Sequence, residues 1–194
     1  MQIGLFGKLP AKGDFVARTV PGEVLQHWET WLEKTVGGAR HLLGPNWQHT
    51  YDIAPVWRFW IGEMVFGHPV TGALIPSTDR VGRRFPLTLL LTDGHGAWPA
   101  RPLADDRSNS AWYDQLEAAL LQAVGQGFNG DVDGLLASLS LPEGAQQARP
   151  EDRRYSFVAY GESGLEAFEL LYVFHKGKRV HKLHGVSCRN CRIR

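Results

Sequence analysis

The spacing of apolar residues predicts strands and helices in alternation along the chain. Gln2–Phe6 is a short apolar run that predicts a strand ending at Gly7. Pro21 then opens a helix, because proline suits the first helical turn and the apolar residues that follow recur at three- and four-residue spacings. Those apolar positions are Val24, Leu25, Trp28, Leu32 and Thr35/Val36. Gly37 and Gly38 predict the end of this helix, since glycines commonly follow a helix.

The middle of the chain has strand character, because β-branched and aromatic residues fill three runs separated by glycine-bearing turns. These runs are Val56–Ile61, Val70–Ile75 and Phe85–Leu91. The apolar spacing then becomes helical over Ser110–Val124, and a shorter helix is expected at Val132–Leu139. The remaining segments are a polar loop over Pro142–Arg154, a strand over Tyr155–Tyr160, and Leu165–His175, which fits either a helix followed by a strand or a strand throughout.

Helices on both sides of a central group of strands predict an α/β fold, a layered αβα sandwich with a mixed β-sheet in a single domain. We expect this domain to span residues 1–175 and residues 176–194 to form a flexible basic tail. The tail carries seven basic and no acidic side chains, whereas residues 1–175 carry 14 basic and 20 acidic ones. The net charge of +1 therefore conceals a mildly acidic body with a basic tail.

Charge and hydropathy argue against several functional classes. The near-neutral total gives no general attraction to nucleic acid or to anionic membranes. No window approaches the roughly 20 apolar residues that span a bilayer, and no secretory signal segment is evident. Both cysteines lie within the last seven residues, which provides no disulfide framework for the body. We therefore expect a cytoplasmic protein without nucleic-acid partners or direct membrane insertion.

The segment PSTDRVGRRFP, residues 76–86, concentrates three arginines. Arg80, Arg83 and Arg84 offer fork-shaped donors suited to carboxylate or phosphate groups. Alternatively, Asp79 pairs with one arginine and pins the loop between two buried strands. Both interpretations can hold, because a pinned loop presents its remaining charges rigidly.

The segment GKLPAKGD, residues 7–14, follows an apolar run but does not match a phosphate-binding loop. Gly4 lies only three residues before Gly7, and Leu9 occupies the position of the magnesium-binding hydroxyl. A turn whose glycines permit unusual backbone angles is the simpler interpretation, with its charged side chains exposed to a partner. Together the two loops supply the candidate interface residues Arg80, Arg83, Arg84, Lys8, Lys12 and Asp14. The candidate loop-structuring residues are Asp79, Gly7, Gly13 and Gly82.

Three other patterns suggest nucleic-acid binding, hydrolysis or zinc binding, but each has a simpler structural explanation. Trp57, Phe59 and Trp60 would project to both faces of one strand, which favours a packed core over a base-stacking surface. Residues 161–165 approach the nucleophile elbow G-x-S-x-G but place leucine where the last glycine is needed. Zinc-type ligands close the chain at His181, His184, Cys188 and Cys191, but only three residues separate the two pairs, so one ion would strain the chain. We expect no catalytic residues, cofactor or metal.

Four linked segments resemble the TagF family of type VI secretion-associated proteins. They are GLFGKLPAKGDFVAR at 4–18, HWETWL at 27–32, APVWRFWI at 54–61 and GALIPSTDRVGRRFPLTL at 72–89. The resemblance implies a posttranslational repressor of bacterial type VI secretion that acts through the forkhead-associated scaffold protein of that system, and it transfers no catalytic residues. The alternative is a small-ligand or nucleotide-binding domain, possibly an enzyme, that uses loops 7–14 and 76–84.

Overall fold

The strands of the protein form one antiparallel sheet. The computed structural model describes residues 2–61, 70–92 and 110–142, together with the backbone of 155–160. Within these ranges the strand order is β2-β1-β5-β4-β3-β6, and every neighbouring pair is antiparallel. The strands are β1 (Gln2–Lys8), β2 (Phe15–Arg18), β3 (Val56–Ile61), β4 (Val70–Ile75), β5 (Leu87–Thr92) and β6 (Tyr155–Tyr160).

The predicted mixture of parallel and antiparallel strands is wrong for the described sheet. Residues 9–14 join β1 to β2, and residues 76–86 join β4 to β5. Both connections are loops between neighbouring strands, and such direct connections produce antiparallel pairs. A parallel pair would require a crossover connection, usually through a helix.

Helices cover both faces of the sheet, which confirms the predicted α/β layering. They are α1 (Gly22–Leu43), α2 (Trp47–Asp52), α3 (Ser110–Val124) and α4 (Val132–Ala137), with a 3₁₀ turn over Gly44–Asn46. One apolar cluster joins α1 to side chains of β1, β3, β4 and β5. A second cluster joins α3 and α4 to the opposite side of the sheet.

Trp28 anchors α1 to the sheet. Its side chain is fully buried and stacks on Phe59, with 4.5 Å between ring centroids. Its indole Nε1 donates a hydrogen bond to the Thr88 hydroxyl at 3.1 Å. The ring therefore brings apolar area into the core while its polar atom keeps a partner.

The predicted end of α1 at Gly37 and Gly38 is wrong, because the helix continues to Leu43. Beyond the two glycines, Ala39 is buried against Trp47 and Tyr51 of α2. This packing offsets the low helix propensity of glycine. A local sequence pattern shows the propensity but not the contacts with residues farther along the chain. The helix ends before Gly44, whose positive φ of 50° suits a residue without a side chain.

Replacing Gly37 by alanine is expected to stabilise the protein by about 0.5–1 kcal/mol, because alanine is the better helix former and restricts the unfolded chain. An added Cβ at Gly37 would meet no atom within 4 Å. Urea unfolding followed by circular dichroism measures the change. An unchanged or lower midpoint would contradict the helical assignment at this position.

The other predicted elements agree with the structure to different extents. The predictions for β3, β4, α3 and β6 are confirmed with identical bounds. β1 extends two residues beyond Phe6, α4 ends at Ala137 instead of Leu139, and β2 and α2 were not predicted. The expectations for 143–154, 165–175, the basic tail, the elbow-like serine and the His/Cys motif lie outside the described residues.

The aromatic run of β3 lies in the core, as its pattern predicts. Trp57, Phe59 and Trp60 are each at most 3% exposed, so none offers a surface for stacking bases. Arg58 is also buried and pairs with Asp114 and Glu117 of α3. None of the helices in the described part of the chain is long and apolar enough to cross a membrane.

Candidate functional site

The two loops singled out by the sequence meet at one end of the sheet. β1 pairs with β5, so residues 9–14 and 76–86 leave the sheet side by side. The Arg80 backbone N–H donates to the Lys12 carbonyl at 2.8 Å. The Ser77 hydroxyl donates to the Lys8 carbonyl at 2.7 Å, and Arg83 Nη2 donates to the Gly13 carbonyl at 2.7 Å. The two loops therefore form one continuous surface.

Asp79 is the centre of this junction. Its carboxylate is fully buried and accepts hydrogen bonds from Lys8 Nζ at 2.8 Å and Arg83 Nε at 2.6 Å. The backbone N–H groups of Val81 and Arg83 donate to the other carboxylate oxygen at 3.1 and 2.9 Å. Burial by itself would raise the pKa of Asp79, but these hydrogen bonds outweigh it and hold the pKa far below its ordinary value. Asp79 thus pairs with Arg83 within the pinned loop.

Lys8 is not the exposed interface residue that the sequence suggested. It is only 5% exposed, and its ammonium group is bound to Asp79 and lies 5.0 Å from the centre of the Phe15 ring. Because Gly7 and Lys8 continue β1, the Lys8 side chain enters the junction instead of the solvent. Its role in the structure is to neutralise a buried carboxylate.

Three cations remain accessible around Gly13, and we call them the cationic surface: Lys12, Arg80 and Arg83. Lys12 and Arg80 are exposed, and neither side chain has a hydrogen bond or ion pair within the part of the chain that the structure describes. The Arg80 guanidinium lies close over Gly13, 3.3 Å from where a Cβ would stand. The Arg83 side chain is 59% exposed although it contacts Asp79 and Gly13. Anchored backbones therefore present charged groups to solvent.

Arg84 stands apart from the cationic surface. Its guanidinium forms a two-point pair with Asp52 of α2, with Nε–Oδ1 and Nη2–Oδ2 distances of 2.8 and 2.7 Å. The hydrogen bond from Arg84 lowers the pKa of Asp52. The three arginines of the loop are consequently not equivalent, and Arg84 serves as a matched control for the other two.

Two glycines of the loops have backbone angles that a side chain would strain. Gly82 has a φ of 82° and closes a turn in which its N–H donates to the Asp79 carbonyl at 2.9 Å. Gly7 has a φ of 136°, and a Cβ there would lie 2.0 Å from the Pro86 carbonyl oxygen. Gly13 differs, because only the guanidinium of Arg80 would meet an added methyl group.

A groove of about 400 Å³ adjoins the cationic surface. One wall is formed by residues 12–16 and Arg18, and the other by residues 130–133 in front of and within α4. Lys12 reaches across one end toward Gly130, and Arg18 approaches Asp133 at 3.6 Å. Asp14 lies in this wall and accepts a hydrogen bond from the Phe15 N–H at 2.8 Å. The groove is open to solvent and is lined by both basic and acidic side chains.

A family model described as "TagF N-terminal domain, Type VI secretion system-associated" matches residues 4–139. The chain belongs to the TagF family. Its place in that family makes it a type VI secretion-associated protein. The match includes both loops, β2 and the residues that line the groove.

A solved structure supports the same fold for this TagF-family chain. The protein PA0076 from Pseudomonas aeruginosa PAO1 is 32% identical and superimposes with a TM-score of 0.62. The similarity covers 73% of this chain and 64% of PA0076, so the chain spans less than two thirds of that protein. No curated protein matches the chain.

Tyr51 is a residue of the junction that the sequence analysis missed. Its hydroxyl donates to the Ser77 carbonyl at 3.1 Å and accepts from the Ser77 N–H at 3.0 Å. Burial raises the pKa of this hydroxyl. Tyr51 lies in α2, whose helical character was not predicted, so no local pattern indicated that it would reach the 76–86 loop.

Proposed function

We propose that this TagF-family protein is a cytoplasmic posttranslational repressor of type VI secretion that docks on the forkhead-associated scaffold protein of the system. We propose further that it acts by binding and not by catalysis. The observation that carries the proposal is the cationic surface on a chain whose family is type VI secretion-associated. The side chains of Lys12 and Arg80 lack hydrogen-bond and ion-pair partners among the described residues, and the network around Asp79 holds the loops that carry them.

The architecture of the junction supports docking more than turnover. Asp79, the one fully buried carboxylate of the junction, is committed to four hydrogen bonds, so it has no proton or lone pair left for a substrate. Tyr51 and Ser77 are likewise bonded to each other. The accessible groups around Gly13 include three cations, and exposed cations steer and orient partners that carry the opposite charge.

The docking proposal is tested by reversing charge at the two unpartnered cations. The double variant Lys12→Glu/Arg80→Glu is expected to bind the forkhead-associated scaffold about tenfold or more weakly, because complementary charges become like charges. Secretion should correspondingly be derepressed in cells. Capture of the purified scaffold by the tagged protein measures binding, and release of a type VI effector into the medium measures repression.

Two control variants distinguish a loss of docking from a general effect of charge or from a loss of the fold. Lys34→Glu makes the same kind of charge change on the exposed surface of α1, and it should leave binding unchanged. Arg84→Gln removes an arginine of the same loop that is already held by Asp52. A folded Lys12→Glu/Arg80→Glu variant that still captures the scaffold and still represses secretion would refute this docking surface.

One observation favours a second candidate, a small-ligand-binding domain. The two loops do converge, and the groove beside them has the size of a small-molecule site. A nucleotide that raises the thermal unfolding midpoint, together with no capture of the scaffold, would support this candidate over the repressor.

A further inference from the structure

β2 is the terminal strand of the described sheet, and two of its backbone groups are capped by side chains adjacent in sequence. Asp14 accepts a hydrogen bond from the Phe15 N–H, and the Arg18 guanidinium donates to the Ala17 carbonyl at 3.0 Å. In an antiparallel ladder the N–H and C=O of one residue point to the same side, so these local caps indicate that Phe15 and Ala17 face the outer edge of β2. Side chains adjacent in sequence occupy the positions that a further strand would take.

The groove lies against β2. Val16 and Arg18 of β2 line it from one side, and Asp131 and Asp133 line it from the other. An ion pair also crosses it, between Arg18 and Asp133 at 3.6 Å, and the two side chains are 53% and 81% exposed. Exposed pairs of this kind contribute little stability, so a ligand can replace them at small cost.

Charge is distributed unevenly along the groove. Lys12 lies at the end next to Gly13, where Arg80 and Arg83 also lie, whereas Asp131 and Asp133 lie opposite β2. Asp14 stands between these regions and engages the Phe15 N–H. A ligand that matches this pattern has one anionic group beside Gly13 and uncharged or basic groups along β2.

We propose that an extended segment of a partner protein adds to the outer edge of β2 as a further strand and places one anionic side chain between Lys12 and Arg80. The segment's backbone replaces the local caps on Phe15 and Ala17 with hydrogen bonds of a β-ladder. Its anionic side chain receives the donors of Lys12 and Arg80, which have no partner in the described protein. The inference rests on the proposed docking function and specifies the chemistry of the partner segment.

The charge distribution of the protein favours a protein segment over a nucleic acid or a membrane surface. Residues 1–175 carry 20 acidic against 14 basic side chains, and carboxylates line the groove beyond Lys12. A polyanion that extends along the groove would meet these carboxylates, whereas one anionic side chain beside Gly13 would not. The row of outward peptide groups on β2 is also specific to an extended polypeptide.

Peptide pools measure this binding directly with the purified full chain. Each pool has one fixed central residue, either glutamate, phosphothreonine, glutamine or lysine, and mixed non-acidic residues around it. The protein is expected to retain the glutamate or phosphothreonine pool about tenfold more than the glutamine pool, as charge-assisted hydrogen bonds require. Arg80→Gln should abolish this preference, and Arg84→Gln should preserve it because Arg84 is held by Asp52.

The strand addition has its own test in Ala17→Pro. Ala17 is exposed, and its N–H points to the same side of β2 as its carbonyl, which Arg18 caps. Proline at an edge position of this kind removes an outward N–H, so the fold should persist. Retention of every pool should fall to background, whereas Ala17→Ser keeps the N–H and should keep binding. Equal retention of the four pools, or full binding by Ala17→Pro, would overturn the proposal.

The same variants distinguish a peptide from a second copy of this chain at the edge, and they test strand addition separately from docking. A dimer in solution that Ala17→Pro converts to a monomer would assign the edge to a second copy of this chain and overturn the peptide proposal. Capture of the scaffold without retention of any pool would leave the docking function standing and reject strand addition. Loss of both would reject the two together.

Discussion

A single methyl group at Gly72 is expected to destabilise the protein by about 3 kcal/mol or more, the upper end of overpacking costs, because the added carbon would meet rigid backbone. Gly72 lies in β4 between Phe59 of β3 and Leu90 of β5. A Cβ there would stand 2.1 Å from the Leu89 carbonyl oxygen and 2.9 Å from the Leu90 Cα. Because β5 is buried between helical layers, it cannot move aside without opening the core.

The Gly72→Ala variant is best compared with Gly37→Ala, which makes the same chemical change where space is open. Urea unfolding followed by far-ultraviolet circular dichroism gives both values. We expect Gly72→Ala to lose a large part of its stability, because domains are stable by only about 5–15 kcal/mol. Unfolding of Gly72→Ala at the wild-type midpoint would show that β4 and β5 do not approach this closely.

Asp79→Asn is expected to lower the thermal unfolding midpoint by on the order of 10 °C, because it removes the carboxylate that pairs with the buried ammonium group of Lys8. Lys8 would remain 5% exposed with a neutral amide in place of the carboxylate. Asp52→Asn is the matched control, since the Asp52 side chain is 47% exposed and water can replace its contact with Arg84. Equal effects of the two substitutions would contradict the central role of Asp79.

The pH dependence of the Asp79 contribution follows from the direction of its pKa shift. Its pKa is lowered on folding, so its stabilisation is complete above the unfolded carboxyl pKa of about 3.9 and is lost as the pH falls below it. Wild-type stability should therefore decline in acid more steeply than that of Asp79→Asn. Parallel declines measured by thermal scans between pH 6 and about pH 3 would contradict this assignment.

Local patterns predicted those elements whose residues agree with their tertiary environment. Val56–Ile61 and Val70–Ile75 are buried along their whole length, and their largely apolar composition indicates this burial. Gly37 disagrees with its environment, because contacts of Ala39 with Trp47 and Tyr51 maintain a helix that local propensity would end. β2 has four residues with one buried, which is too short for a periodic signal.

The sequence predicted which loops form the candidate site, but not which of their charged side chains are paired. The sequence identified both loops and offered the pairing of Asp79 with an arginine, and the structure shows Arg83 in that place. It missed the burial of Lys8, because that depends on β1 lying beside β5, a contact between residues far apart in sequence. Arg84 was grouped with Arg80 for the same reason, since its partner Asp52 lies in a helix that was not predicted.

The position of β1 within the sheet also affects how the chain folds during its synthesis on the ribosome. β1 finds one partner at once in β2, but its other partner, β5, follows much later in the sequence. At about 5–20 residues per second, synthesis of the chain between Gly7 and Leu87 takes on the order of ten seconds. During that interval Ile3, Leu5 and Phe6 face water or a chaperone, so synonymous codons that slow translation before Leu87 should lower the yield of folded protein.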